Sequence, residues 1–264
     1  SAEFVSSKGT RGAQELAEQR KLADTQIAKF QQTPTDTINP RSSELLAKAR
    51  KAVDDLVVFR KRIDRLEVTG AISNETYAQT IATALAVIQS GTSEAGDSQT
   101  ARRFNAYTAL LLAKENTGRE RASMNRVFSV NAFAPQQYEQ VIAIVAAQTL
   151  YLDAFRESST EEQTQQLDVI LSGPASKDVE RLRGIAFAKA ATGGFDVEVK
   201  DWAASVTAKI NQLKELENVL ARDLRDIAAA TGAKATRSLI LLYVAGGATL
   251  LVIIGLGSAV NRSI

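Results

Sequence analysis

The sequence predicts an all-α protein. Only 4 of the 264 residues are proline, and long stretches are built from Ala, Leu, Gln, Glu and Arg, all good helix formers except as tertiary context dictates. Apolar residues recur at steps of three and four along most of the chain, with no run of alternating β-branched residues. The connections between periodic segments are short, which favours antiparallel neighbours. The expected architecture is two packed helical bundles that share long helices.

Residues 1–12 are rich in Ser and Gly around Phe4 and Val5 and read as the end of a helix followed by a loop. A helix is expected over 13–30, with Leu16, Ala23, Ile27 and Phe30 on one face and Arg20 on the same face by helical angle. After a polar connection closed by Pro40, Ser42 or Ser43 is expected to cap a helix reaching Leu66, with Leu45, Ala49, Ala52, Leu56, Phe59 and Ile63 inward and Arg60 at the edge of that stripe. Gly70 reads as a break and Ser73-Asn74 as the next cap. Asn74-Glu75-Thr76 also matches a glycosylation sequon, for which the cap is the competing role. A long helix should run from Asp97 or Ser98 to Phe133, stopped by Ala134-Pro135. Pro135 should open a helix to Glu157 through Val141, Ile144, Val145, Gln148, Leu152 and Phe155. Shorter helices over 160–171 and 177–191 follow, and Gly193-Gly194 ends that segment.

From Val199 the chain reads as one nearly continuous helix. Val199, Trp202, Val206, Ile210, Leu213, Leu216, Leu220, Leu224 and Ile227 repeat near the coiled-coil period, a packing seam that favours a homodimer. Residues 238–260 carry no charge, and at 1.5 Å rise they span roughly 34 Å against a hydrocarbon core of about 30 Å. The expectation is a C-terminal transmembrane helix over 237–260. Residues 228–236, with Gly232, are where such a rod would bend.

Composition narrows the function. There are 32 basic and 30 acidic side chains, a net charge of +2, so no basic face suggests nucleic acid. Cysteine and histidine are both absent, which removes disulfides, Cys/His metal sites and thiol or Ser-His catalysis. No catalytic residues, metal site or cofactor are expected. The chain starts at serine without a signal peptide and reads as a fragment.

The informative residues are charges on apolar faces. On the long helix Phe104, Tyr107, Leu110 and Leu111 define an arc that continues through Lys114, Gly118, Arg121 and Asn125 to Phe128. Gly118 costs about 1 kcal/mol relative to Ala in a helix, which suggests that another group approaches there. Arg183 lies between Val179, Ala186 and Phe187. Arg20, Arg121 and Arg183 thus share the property of pointing inward, where an unpaired charge is strongly unfavourable. Either each pairs with an internal carboxylate such as Asp24, Glu115 or Glu120, or they leave a cationic pocket for a small anion. Guanidinium is planar and permanently charged, so it fits trigonal oxyanions.

The run Leu-Leu-Ala-Lys-Glu-Asn-Thr-Gly-Arg-Glu-Arg-Ala over 111–122 resembles the Lys-Glu, Gly, Glu-Arg-Ala run in the central helix of the nitrate- and nitrite-sensing (NIT) domain. Residues 16–20, 56–60, 179–183 and the pair Asp201-Trp202 resemble further pieces of that family in order. The resemblance implies two up-down four-helix bundles forming the ligand-input module of a bacterial receptor, with arginines on nitrate or nitrite. By motif position it implies Arg121 and Arg183 as ligands, with Arg20, Asn125 and Gly118 as weaker candidates. The family's first-helix Glu-Arg-Gly element would lie before Ser1. Asn261-Arg262-Ser263-Ile264 resembles the lead-in to a HAMP linker.

The expected organisation is a sensing domain over 1–236, the membrane helix, and the start of a cytoplasmic HAMP-like linker over 261–264. The expected function is the extracytoplasmic sensor portion of a histidine kinase or chemoreceptor in the cell membrane, binding nitrate or nitrite. The competing expectation is a membrane-tethered helical scaffold with no small-molecule ligand.

Overall fold

A computed structural model describes residue 4 and residues 8–10, 13–32, 40–91 and 97–230. The described residues form eight helices and no strand: α1 (Ala13–Gln31), α2 (Pro40–Asp64), α3 (Gly70–Gly91), α4 (Ser98–Val130), α5 (Gln137–Ser158), α6 (Glu161–Ser172), α7 (Pro174–Ala188) and α8 (Val199–Ala230). The expected membrane helix over 237–260, the HAMP-like residues and the bend beyond residue 230 lie outside the described residues. Within them, no helix is long and apolar enough to cross a membrane.

Two compact units divide the chain. Of the described residues, the first holds those up to Thr108 and 221–230, and the second holds Ala109–Leu220. The long helices α4 and α8 each contribute residues to both.

In the first unit α2 packs along α3 and α1 packs on α2. Two cross-helix ion pairs fix α1 and α2 as antiparallel: Arg20 meets Asp64, and Arg60 meets Asp24. Ser42 donates to Ser90 at 2.9 Å, joining the start of α2 to the end of α3. The α1 stripe of Leu16, Ala23, Ile27 and Phe30 is buried as expected. The first half of α2 is rotated by one residue from expectation. Leu46 and Val53 are buried where Leu45 and Ala52 are only half-buried, in the row that Ser42, Ala49 and Leu56 continue at steps of three and four.

In the second unit Met124, Val127, Phe128, Val141, Val179, Leu182, Ala186, Phe195, Trp202, Val206 and Ile210 form one apolar core. Aromatic edges interlock at its periphery. Phe128 meets Phe195 at 6.0 Å and 89°, and Phe133 meets Tyr138 at 5.3 Å and 77°, the edge-to-face arrangement that ring quadrupoles favour. The seam of α8 from Trp202 to Leu224 is buried within this single chain, so its coiled-coil period is used internally rather than left for a second copy.

Helix ends depart from expectation for local reasons. Pro40 opens α2 ahead of the expected serine cap, as proline suits a first turn whose N–H groups have no helical partner. α3 starts at Gly70, since the Thr69 hydroxyl accepts from the Ile72 amide at 3.3 Å. Asn74 therefore lies inside a helix. α4 stops at Val130 because Asn131 turns left-handed, with φ of 59°. The next helix starts at Gln137, after left-handed Gln136, rather than at Pro135. Thr160 and Gln163 form a reciprocal capping box at the start of α6, and Pro174 opens α7 three residues before the expected Lys177.

Asn131 also anchors the connection between α7 and α8. Its carbonyl accepts from the Gly194 amide at 2.9 Å, and its side-chain oxygen accepts from the Phe195 amide at 2.6 Å. Gly193 sits at φ of +66°, and a Cβ there would come within 2.7 Å of the Asn131 carbonyl oxygen. Gly193→Ala should therefore destabilise the second unit by about 2 kcal/mol or more through left-handed strain and the backbone clash, read as a lowered thermal midpoint, whereas Gly184→Ala, where nothing lies within 4 Å, should leave it unchanged or raised.

Candidate functional site

The polar residues of the second unit converge on α4. Lys114 is 0% exposed and pairs with Glu217 of α8, which also receives the Lys214 ammonium at 3.3 Å. Burial, with Lys214 beside it, pulls the Lys114 ammonium well below the usual lysine range. One turn further along α4, the Thr117 hydroxyl donates to the Gln148 side-chain oxygen at 3.2 Å. Gln148 donates in turn to Glu120 at 2.7 Å, and Arg183 Nη1 donates to the other oxygen of Glu120 at 2.9 Å. These contacts set α4 antiparallel to α8 and tie α5 and α7 to its middle.

Arg121 is treated differently. Its guanidinium is 4% exposed, yet no carboxylate among the described residues pairs with it. Nη1 donates to the Thr207 hydroxyl at 2.8 Å, and Nε is buried without a partner. Burial pulls its pKa down to about 10, so it remains a cation at neutral pH. The Trp202 indole N–H donates to the Arg121 carbonyl at 3.3 Å and fixes α8 against this turn of α4. Asn125, one turn on, holds its side-chain oxygen buried and without a partner.

Lys209 of α8 adds a further cation. It is buried, makes no hydrogen bond or ion pair among the described residues, and lies in the fields of Glu120, Arg183 and Glu180. Burial pulls its ammonium below the usual lysine range, with Glu120 and Glu180 opposing that pull and Arg183 adding to it. Around Glu120 thus lie Arg121, Arg183 and Lys209, with Glu180 also in the field of Lys209. Arg121 and Lys209 are buried cations with no paired carboxylate among the described residues, an arrangement that is unfavourable while the charge goes unanswered.

The expected site residues separate accordingly. Arg121, Gly118 and Asn125 share one face of α4, with Gly118 and Asn125 half-buried. Arg183 comes to the neighbouring residue Glu120. Arg20 belongs to the first unit, where its carboxylate is Asp64, while Asp24 serves Arg60. Among the described residues no group of three His, Cys, Asp or Glu side chains could hold a metal ion.

The sequence profile for nitrate and nitrite sensing matches residues 1–225. The chain belongs to the nitrate and nitrite sensing family. It is 24% identical over 210 residues to a protein named nitrate regulatory protein from Klebsiella oxytoca, covering 78% of this chain and 52% of that relative. The chain therefore spans about half the length of the curated relative it matches. No solved structure matches it.

The Lys-Glu…Glu-Arg-Ala run that carries the family resemblance supplies the buried charged side chains of α4: Lys114, Glu115, Glu120 and Arg121. Lys209 and Glu217 were not expected as part of the site. The signal was present, since Lys209 lies three residues after Val206 and Glu217 four after Leu213. The period that picks out Lys114 on α4 places both on the apolar seam of α8.

Glu115 is buried without a hydrogen bond or ion pair among the described residues, and burial raises its carboxyl to about 7 against the opposing fields of Arg119 and Lys114. The folded state then binds this proton more tightly than the unfolded chain, whose carboxyl titrates near 4.5. Its contribution to stability is full below about 4.5 and is lost as pH rises to about 7, on the order of 3 kcal/mol in all. Glu115→Gln should flatten the fall in stability across that window, as measured by denaturant titration at successive pH values. Glu217→Ala, which strands Lys114, should cost about 3–5 kcal/mol, and Lys114→Met combined with Glu217→Leu should recover most of it.

Proposed function

We propose that the second unit binds nitrate or nitrite at Arg121 and Arg183, with Lys209 adding to the positive field. The observation that carries this reading is the Arg121 guanidinium: buried, cationic, bonded to a neutral hydroxyl and with Nε unsatisfied. A trigonal oxyanion supplies the missing countercharge and accepts from a planar fork of N–H donors. Glu120 is already satisfied on both oxygens by Gln148 and Arg183, so it orients Arg183 while that residue's remaining N–H groups face the ligand. Asn125 and Gly118 line the same face of α4 in this reading.

In the same reading the chain is the extracytoplasmic sensor portion of a bacterial transmembrane receptor, a histidine kinase or chemoreceptor that signals as a homodimer. Its first 236 residues form the sensing domain with two up-down four-helix bundles. Residues 237–260 cross the membrane, and 261–264 begin a HAMP-like linker. Support comes from family membership, from the uncharged run after residue 237 and from α8, which carries Trp202, Thr207 and Lys209 beside the proposed ligand. The Arg183–Glu120 and Arg20–Asp64 pairs favour the rival reading, a helical scaffold whose arginines are internally matched.

Trp202 is the single tryptophan and touches the Arg121 backbone, so its fluorescence reports locally. Nitrate or nitrite should change that signal saturably, with chloride at equal ionic strength much less effective. Arg121→Lys should raise the nitrate midpoint by about tenfold or more, the loss expected for one charge-assisted hydrogen bond. A scaffold predicts no saturable anion response, and an equal loss of stability in Arg121→Lys with and without nitrate.

A further inference from the structure

We propose that Arg20 and Arg60 form a second oxyanion site, contained in the first unit, for a planar anion that presents two coplanar oxygens, such as nitrate, nitrite or a small carboxylate. This goes beyond the reading above, which concerns residues of the second unit.

The site begins with spacing. Arg20 and Asp24 lie four residues apart on α1, and Arg60 and Asp64 lie four apart on α2, so on each helix the two side chains share a face. Antiparallel packing crosses them: Arg20 Nη1 donates to Asp64 at 2.6 Å, and Arg60 Nη1 donates to Asp24. Each guanidinium therefore spends one nitrogen, and in both it is Nη1. Nε and Nη2 of Arg20 and Nε and Nη2 of Arg60 are buried with no partner among the described residues. Nε–H and Nη2–H point the same way from one edge of the fork, the edge that grips two oxygens of a carboxylate or nitrate at once. An arginine that served only to join two helices would offer that edge to its aspartate. Here both arginines withhold it.

Formal charge balance conceals the field at those edges. The Asp24 and Asp64 side chains are 58% and 50% exposed, whereas Arg60 and Arg20 are 6% and 18% exposed. Water screens the carboxylates much more than it screens the guanidiniums. Ala23, Leu56 and Ile63 are buried in the same helices and keep the surroundings apolar, which strengthens any charge-assisted bond formed there. The four N–H groups on these edges are thus buried and unsatisfied, while the negative partners are half-exposed to water. A spherical halide has no second oxygen with which to use the edge, so the site discriminates by shape.

The experiment uses the full chain with arginine Nε–H signals followed by nitrogen-edited NMR, assigned by Arg20→Lys and Arg60→Lys. Titrations employ sodium nitrate, sodium formate and sodium chloride at constant ionic strength. Nitrate and formate should shift the Arg20 and Arg60 Nε–H signals saturably, and chloride should not. These shifts should persist in Arg121→Lys, so the two sites fail or survive separately. Asp24→Asn, at a half-solvated position, should tighten nitrate binding at this site by about threefold, because it removes a competing screened carboxylate. A purely structural ion pair would instead give lower stability and no gain in affinity. Signals unmoved by both nitrate and formate, equal shifts with chloride, or unchanged affinity in Asp24→Asn would each overturn the proposal.

Discussion

A lysine with no exposed surface determines how the second unit is assembled. Lys114 can remain inside only where Glu217 meets it, since a lone ammonium in an apolar interior is far less stable than one in water. That requirement fixes the register of two antiparallel helices. Once residue 114 of α4 faces residue 217 of α8, two turns further along α4 Arg121 must face the part of α8 near Thr207, and it does. Trp202 then reaches the Arg121 carbonyl. The ion pair binds nothing itself, yet it decides what Arg121 can touch.

The buried arginines differ in how their charge is answered, and the differences follow from the geometry of their helices. Arg183 meets a fully buried carboxylate, Glu120, whose other oxygen is held by Gln148. Arg20 and Arg60 meet half-solvated aspartates through one nitrogen each. Arg121 meets only a hydroxyl. Charge compensation thus weakens from Arg183 to Arg121, and the capacity to attract an anion rises in the same order. Family membership makes nitrate and nitrite the natural ions to consider, and in the proposed reading this ordering gives Arg121 the leading role.

Much of this was legible in the amino-acid sequence because helical period and burial are the same information. The stripe of α1, the seam of α8 and the inward placement of Lys114 and Arg121 all follow from steps of three and four. Boundaries were less legible. Asn131 ends α4 through a left-handed turn that no proline announces, and Gly70, which reads as a break, is the first residue of a helix capped by Thr69. Partners were least legible. Both Asp24 and Asp64 are four residues from an arginine on their own helix, and local spacing suggests those pairs. Antiparallel packing exchanges them, an outcome that depends on the offset between two helices rather than on either helix alone.

The use of the α8 seam inside one chain bears on how a ligand could act. A seam left open for a partner would transmit a signal by changing association. A seam already buried within the chain transmits only through differential contacts along α8 itself. Thr207 is the contact best suited to change. Its hydroxyl is a neutral acceptor for Arg121, and an oxyanion competes for the same N–H with a full charge. Ligand binding in the proposed reading therefore replaces a bond between α4 and α8 by one from α4 to the anion, while Lys114–Glu217 and the Trp202 contact keep the two helices in register. The expected response is a small displacement of α8 at Thr207 between two fixed points rather than a separation of the helices.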